Sequence, residues 1–191
     1  MVDYLKNELR KKVKELKSNY SFEEKKKKSE AIFQQIEQDR DFKRAHIVLA
    51  YWSMPDEVYT HDFIKKWAST KTFLLPVVDG SDLILKKFEG VDKMKEEGKY
   101  KILEPQGDAF TDFDMIDYAI IPGVAFDKFN SRLGRGKGYY DKTLGKLEAK
   151  KIGVCFDFQY FDVVPVDQYD IPMDFVVTDN YGDDSENNTI T

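Results

Sequence analysis

From Arg132 to Gly138 the chain reads Arg-Leu-Gly-Arg-Gly-Lys-Gly, so seven residues hold two arginines, a lysine and three glycines. Gly134, Gly136 and Gly138 permit positive φ and close backbone approach. Main-chain N–H groups can therefore converge on phosphate oxygens while Arg132, Arg135 and Lys137 supply charge. The chemistry is anion binding, but not of a common nucleotide loop. A Walker A sequence needs Ser or Thr after its Lys, where Gly138 stands, and the glycine spacing is GxGxG rather than GxGxxG. Tyr139-Tyr140-Asp141 follows at the start of a helical pattern whose N-terminal dipole adds attraction for an anion. Two tyrosines can stack on a flat ligand, and a carboxylate one step beyond a polyphosphate cradle can hold a magnesium ion that bridges to it. The competing reading is a flexible, solvated basic turn.

The elements that must position this loop alternate. Leu5, Leu9, Val13 and Leu16 recur at helical spacing, and Ser21-x-x-Glu24 is a capping box opening a second helix that carries Ile32, Phe33 and Ile36. His46 to Trp52 reads as a buried strand, Thr60 caps a helix running through Trp67, and Thr72 to Val78 reads as the next strand, which together make a βαβ unit. Leu83 to Phe88 alternates like a half-exposed strand after an Asp79-Gly-Ser-Asp turn, an antiparallel hairpin on the sheet. Asp117 to Ile121, a helix from about Tyr139 to Leu147, Lys151 to Phe156 and Phe175 to Thr178 continue the series. The fold class this implies is α/β: a three-layer α/β/α arrangement with a mostly parallel central sheet, an N-terminal helical pair and a small antiparallel hairpin insertion. Ligands of such sheets sit outside the carboxyl ends of the strands. Three loops leave from there: Ser53 to Thr60, Gly123 to Gly138 and Asp157 to Asp174.

Composition narrows the class further. A length of 191 residues suits one domain over 1–180, and the small, polar, partly acidic stretch 181–191 reads as a disordered tail. The net charge of −5 argues against a general nucleic-acid binder, so the basic residues serve a small anion. Cys155 is the single cysteine and sits in the apolar run Ile152-Gly-Val-Cys-Phe, which reads as a buried, inert thiol in a reducing compartment. No apolar signal core or membrane-length segment occurs, so the chain is expected to be soluble and cytoplasmic. His46 and His61 have no partner at metal-ligand spacing and are assigned no chemistry, and the Lys25–Lys28 run is read as a solvated helix flank.

Pro122-Gly-Val-Ala-Phe-Asp127 followed by Arg132-Leu-Gly-Arg-Gly-Lys-Gly-Tyr-Tyr-Asp141 resembles the signature of the 5-formyltetrahydrofolate cyclo-ligase family. Supporting matches are Lys6-x-x-x-Arg10, Ser53-Met-Pro-Asp-Glu57, Glu104-Pro105 and Val164-Pro-Val with Asp170 and Asp174. The resemblance implies that Lys6, Arg10, Arg132, Leu133, Gly134, Arg135, Gly136, Lys137, Gly138, Tyr139 and Tyr140 bind ATP. It implies that Trp52, Glu57, Tyr100, Arg135 and Tyr139 contact the reduced folate, and that Asp141 and Asp170 hold Mg2+. Lys6 and Arg10 lie four apart on one helix face, offset from the Leu5/Leu9 stripe; taken alone they would be surface charges. Two positions depart from the family pattern, Lys101 and Asn130, each where relatives often carry glycine; Asn tolerates the left-handed region well.

The activity this resemblance implies is ATP- and Mg2+-dependent conversion of 5-formyltetrahydrofolate to 5,10-methenyltetrahydrofolate. ATP phosphorylates the formyl oxygen, nitrogen 10 closes the ring, and ADP and phosphate are released. Arg135 and Lys137 would be the catalytic cations. Partners would be the two small-molecule substrates, with no nucleic acid or membrane, and the chain would act as a monomer. Two other readings stay open on the residues. One is a sugar-phosphate isomerase or acyl-transfer enzyme using Glu57 as a base; the other is an RNA-gripping module, which lacks a wider basic face.

Overall fold

The computed structural model describes residues 1–97 and 102–180. Helix α1 (Val2–Ser18) comes first, and α2 (Phe22–Ile36) starts at the expected capping box. Ser21 Oγ accepts the Glu24 N–H at 3.2 Å and the Glu24 carboxylate accepts the Ser21 N–H at 2.7 Å. A third helix, α3 (Arg40–Arg44), joins the expected pair before the first strand. Five residues carry too little periodicity to register as a helix in sequence; Asp39 caps it by accepting the Asp41 N–H at 3.0 Å, and buried Phe42 anchors it.

The remaining elements keep the expected alternation but add short strands that were not expected, between the hairpin and residue 117 and again after residue 122. They are β1 (Ile47–Leu49), α4 (His61–Trp67), β2 (Thr72–Asp79), β3 (Asp82–Lys87), β4 (Met94–Glu97), β5 (Ile102–Pro105), β6 (Ala109–Phe110) and β7 (Tyr118–Pro122). Then come β8 (Ala125–Asp127), β9 (Arg132–Leu133), α5 (Tyr139–Leu144), β10 (Lys150–Val154), β11 (Tyr160–Phe161) and β12 (Phe175–Val177). Seven strands form the main sheet in the order β12-β10-β7-β1-β2-β3-β6. The five from β12 to β2 are parallel, and β3 returns antiparallel to β2 as the expected hairpin.

Period-two alternation sends successive side chains of each strand to opposite faces. Val48, Ala50, Phe73, Leu75, Tyr118 and Ile120 pack on one side against Ile32, Phe33 and Ile36 of α2 and Phe63 and Ile64 of α4. Leu49, Leu74, Ala119 and Ile121 pack on the other side with Leu144 of α5 and Leu147. Both faces are therefore covered, which is why the strands read as continuous apolar runs. Each fully buried aliphatic or aromatic side chain contributes about 1.5–3 kcal/mol of transfer free energy.

A three-stranded sheet, β11-β8-β9, was not among the expected elements, because two- and three-residue strands leave no period to read. It carries the anion loop. Asp127 ends β8 fully buried, with one carboxylate oxygen accepting the Phe129 and Ser131 N–H groups at 2.9 Å each and the other accepting the Val164 N–H at 2.7 Å. Asn130 takes the left-handed conformation at φ 61°, which turns β8 into β9. Below this sheet Phe126 lies between Gly123 and Gly153, where an added Cβ would come within 2.5 and 2.4 Å of its ring. Glycine inside β10 is thus a packing requirement.

Helix α1 lies over the second sheet through Val13, which packs with Ala125, Leu133 and Val164. The expected apolar stripe is only partly used: Leu5 is 48 % exposed, and the helix buries Lys6 and Lys17 beside Val13. Their burial follows from acidic partners across the site rather than from apolar contact.

Candidate active site

The parallel strands run in chain order outward from β1 to β2, then back across β1 to β7, β10 and β12. The order reverses between β1 and β7, and at such a switch point the two loops that leave the carboxyl ends diverge and open a crevice. The loop after β1 carries Asp56 and Glu57; the segment after β7 carries the β8–β9 hairpin and the glycine-rich loop. A cavity of about 800 Å3 lies beside them. Its walls come from the first turns of α1, the anion loop, the start of α5, and Asp167, Tyr169 and Asp170 of the loop before β12. Every residue from Arg132 to Asp141 lines it, as do Lys6 and Arg10.

The loop is shaped as its glycines suggest, with one exception. Gly136 and Gly138 sit at φ +94° and +68°, in the region L side chains avoid, whereas Gly134 does not take a positive φ and instead makes room. A Cβ on Gly134 would stand 3.0 Å from an Arg132 guanidinium nitrogen, and one on Gly136 would stand 3.3 Å from the Arg10 guanidinium. Arg10 Nε donates to the Gly134 carbonyl at 2.9 Å, which ties α1 to the loop. Helix α5 has only six residues and a left-handed Gly138 cap, so its dipole is a small contribution beside the side-chain charges.

Arg132 forms the floor. It is 3 % exposed, donates to Asp141 Oδ1 at 2.9 Å, and places its guanidinium 5.4 Å from the Tyr140 ring centroid. Its Nε is fully buried without a hydrogen-bond partner among the described residues. Burial pushes the Tyr140 hydroxyl well above the usual tyrosine range, so it stays neutral.

Lys6 donates to Asp167 at 2.7 Å and to Asp170 at 2.5 Å. Burial alone would lower its pKa; the two carboxylates outweigh that and hold it above the ordinary lysine value, so Lys6 is charged. Lys137 lines the cavity, exposed, with no ion-pair partner among the described residues. Arg135 reaches the other way: its Nη2 donates to both oxygens of Asp56 at 3.1 and 3.2 Å and to Glu57 Oε1 at 2.9 Å. Glu57 Oε2 accepts the Met54 N–H at 2.9 Å, and Lys17 Nζ donates to Asp56 Oδ2 at 3.2 Å. Burial pushes the Asp56 carboxyl up, but Lys17 and Arg135 pull harder and leave it below the usual carboxylate range.

All the expected anion-binding residues therefore meet in one cavity, and Glu57 joins it through Arg135. Trp52 does not reach the cavity wall: its ring stacks on His61 at 3.8 Å and on Phe88 at 5.5 Å, beside the apolar cluster. His61 Nε2 lies 3.0 Å from the Ser53 carbonyl, and burial holds its pKa down. Tyr100 and the tail 181–191 lie outside the described residues. Cys155 is buried and its thiol is pushed up, as an inert core residue should be. Lys28 is more than a solvated flank, since it pairs with Asp157 and Asp179. Sequence reading missed Lys17, Asp56, Asp167 and Tyr169; only the adjacency of Asp56 to Glu57 and of Asp167 to Asp170 hinted at them.

Each aspartate assigned to magnesium keeps one carboxylate oxygen free of protein partners among the described residues. Asp141 spends Oδ1 on Arg132 and the Ile171 N–H, and Asp170 spends Oδ2 on Lys6 and the Asp167 N–H. No cluster of three or more metal-ligating side chains occurs among those residues. Magnesium in phosphate sites takes one or two carboxylates and fills its shell with phosphate and water, so this donor set fits it.

Fold and cavity together define an α/β enzyme scaffold with a cleft at its switch point that is lined by Lys6, Arg10, Arg132, Arg135 and Lys137. The model of the 5-formyltetrahydrofolate cyclo-ligase family matches residues 3–179, and the chain belongs to that family. It is 32 % identical over 143 residues to the 5-formyltetrahydrofolate cyclo-ligase of Escherichia coli K12, covering 70 % of this chain and 78 % of that one. The solved structure of 5,10-methenyltetrahydrofolate synthetase from Aquifex aeolicus superposes with a TM-score of 0.81 at 35 % identity, covering 92 % of this chain and 90 % of that one. The synthetase of Mycoplasma pneumoniae gives 0.73 at 26 % identity over 92 % and 99 %. No helix among the described residues is long and apolar enough to cross a membrane.

Proposed function

We propose that this chain converts 5-formyltetrahydrofolate to 5,10-methenyltetrahydrofolate in an ATP- and Mg2+-dependent reaction that releases ADP and phosphate. The observation that carries the reading is Arg135, which lines the polyanion cavity and touches Glu57 at 2.9 Å, so a triphosphate and a folate would meet at one guanidinium.

A formyl group on nitrogen 5 is an amide, and resonance makes its carbon a poor electrophile toward nitrogen 10. Transfer of the terminal phosphoryl group to the formyl oxygen activates it; nitrogen 10 then attacks the carbon, the ring closes and phosphate departs. Phosphoryl transfer asks mainly for positioning and charge neutralisation, and the cavity offers cations and backbone donors without a nucleophile and base pair. Lys137 and Arg135 neutralise charge on the transferring group. Lys6, Arg10 and Arg132 hold the remaining phosphates, with the backbone of Leu133 to Gly138 closing round them. Tyr139 and Tyr140 line the junction between nucleotide and folate. Glu57 accepts from the reduced pterin, and Trp52 and Tyr100 contribute apolar contact to it. Asp141 and Asp170 would hold magnesium through their free oxygens, and the ion would supply further charge neutralisation on the phosphates. The chain acts as a cytoplasmic monomer.

The test is absorbance at the methenyltetrahydrofolate band after mixing protein, 5-formyltetrahydrofolate, Mg2+ and ATP, against samples lacking ATP. An ATP-dependent rise supports the reading. No rise from folded protein that binds ATP sinks it.

A further inference from the structure

One face of α1 carries Lys6, Arg10, Val13 and Lys17 at steps of four, three and four. The stripe spans roughly 16 Å at 1.5 Å per residue and touches three separate loops. Lys6 meets the Asp167–Asp170 loop, Arg10 the glycine-rich loop, and Lys17 the loop after β1. The first two face the phosphate cavity. Lys17 does not line it, yet is 9 % exposed, and its amine is held below the ordinary lysine value by that burial. A buried lysine outside the cavity needs a reason.

Lys17, Asp56, Arg135 and Glu57 form a quartet of two cations and two anions. Within it Arg135 is held through Nη2 alone, which is shared among three carboxylate oxygens. Its Nη1 and Nε have no protein partner among the described residues. Arginine and carboxylate prefer the two-bond, fork-to-fork arrangement, which would consume a second guanidinium nitrogen. Lys17 sits on Asp56 Oδ2, one of the two oxygens such a fork would need. The quartet is formally neutral. Without Lys17 it carries one surplus negative charge whose nearest cation is Arg135.

We propose that Lys17 is a positioning residue: by occupying Asp56 it keeps Arg135 from closing into a two-bond pair and leaves the free side of the guanidinium available to an anion in the cavity. This rests on the reading of Arg135 as a triphosphate ligand. Loss of Lys17 lets Asp56 take Arg135 fully, and the cost falls on the nucleotide rather than on the folate.

The test is a double-mutant cycle of K17M, D56N and K17M/D56N, with K17R as rescue and thermal melts as folding control. KM for ATP and for 5-formyltetrahydrofolate are measured together with the affinity of a non-hydrolysable ATP analogue by calorimetry. K17M should raise KM for ATP and weaken the analogue about tenfold, the size of one charge-assisted hydrogen bond withdrawn, while ADP, which lacks the terminal phosphoryl group, changes less. The folate KM should change by under about twofold, K17R should restore binding, and K17M in the D56N background should add less than about twofold, since the group Lys17 acts through is gone. A neutral K17M overturns the proposal. So does a K17M penalty that persists unchanged with D56N, or a K17R as weak as K17M, because both mean Lys17 only stabilises the fold. Should K17M not fold, K17Q carries the same comparison. If the wild type forms no methenyl product, the parent reading falls by itself, and the binding cycle with the ATP analogue still decides the role of Lys17.

Discussion

Arg132 and Arg135 stand three residues apart in one loop and are held in opposite ways. Arg132 is 3 % exposed, paired with Asp141 and stacked against Tyr140, so its position is set before any ligand arrives. The Arg135 side chain is half exposed and hangs by one nitrogen on a loop from a different strand. Floor and rim thus divide the work: a buried cation is costly to move and serves as a fixed anchor, whereas a solvated one can exchange partners at small cost. Lys137, exposed and unpaired among the described residues, belongs to the rim.

The largest expected effect breaks the floor. R132M should cost about 3 kcal/mol or more in unfolding free energy, because it strands the Asp141 carboxylate, while R135M should cost under about 1 kcal/mol. Urea denaturation of both variants checks this, and equal losses would erase the distinction between floor and rim. K137A should act on the rim alone, lowering kcat about a hundredfold or more with the melting temperature unchanged, since a cation on a transferring phosphoryl group acts mainly in the transition state. A loss of only a few-fold would remove Lys137 from the chemistry.

Glycine replacements sharpen the comparison at smaller scale. G136A forces φ +94° on a residue with a Cβ and crowds Arg10 at 3.3 Å, and should destabilise by about 1–2 kcal/mol. G134A meets the floor guanidinium at 3.0 Å with no positive φ to strain, so its penalty should depend on whether Arg132 can shift. In R132M the G134A penalty should shrink and the G136A penalty should not; thermal melts of the double variants measure both.

The smallest effect concerns pH. Asp56 is held below its ordinary value by Lys17 and Arg135, against the opposing push of burial. A carboxyl depressed in the folded state contributes stability that is complete above its unfolded pKa of about 3.9 and is lost as pH falls through the folded value. D56N should therefore lower stability slightly near neutrality, where the charged carboxylate contributes in full, and flatten the profile below about pH 4. Denaturant titrations at a series of pH values would show it, and an unchanged acid limb would mean the rim pair is too solvated to matter.

Much of this was readable along the chain. Strands alternating with helices declared a sheet covered on both sides, and Val48, Phe73 and Tyr118 pack on one face while Leu49, Leu74 and Ala119 pack on the other. The capping box at Ser21 formed as its residues required, because a cap involves only neighbours three apart. The short strands of the second sheet and the five-residue α3 stayed hidden, since elements of that length are held by their surroundings rather than by a pattern of their own. Lys17 was hidden for a different reason: in sequence it is one of many lysines on an amphipathic helix, and only a partner 39 residues away makes it special.

The sequence by itself determined that residues 132–138 would form a cation-rich loop with a freely turning backbone, because glycine conformational freedom and cation density act within a few residues of backbone. It also determined the α/β class, because strand and helix periods are local. Only the tertiary structure decided that Arg135 would face Asp56 and Glu57, 79 and 78 positions away, and that α1 would span three loops. Those contacts depend on the order of the strands in the sheet. The reversal between β1 and β7 sets two remote loops side by side, and no local interaction encodes which charges then meet.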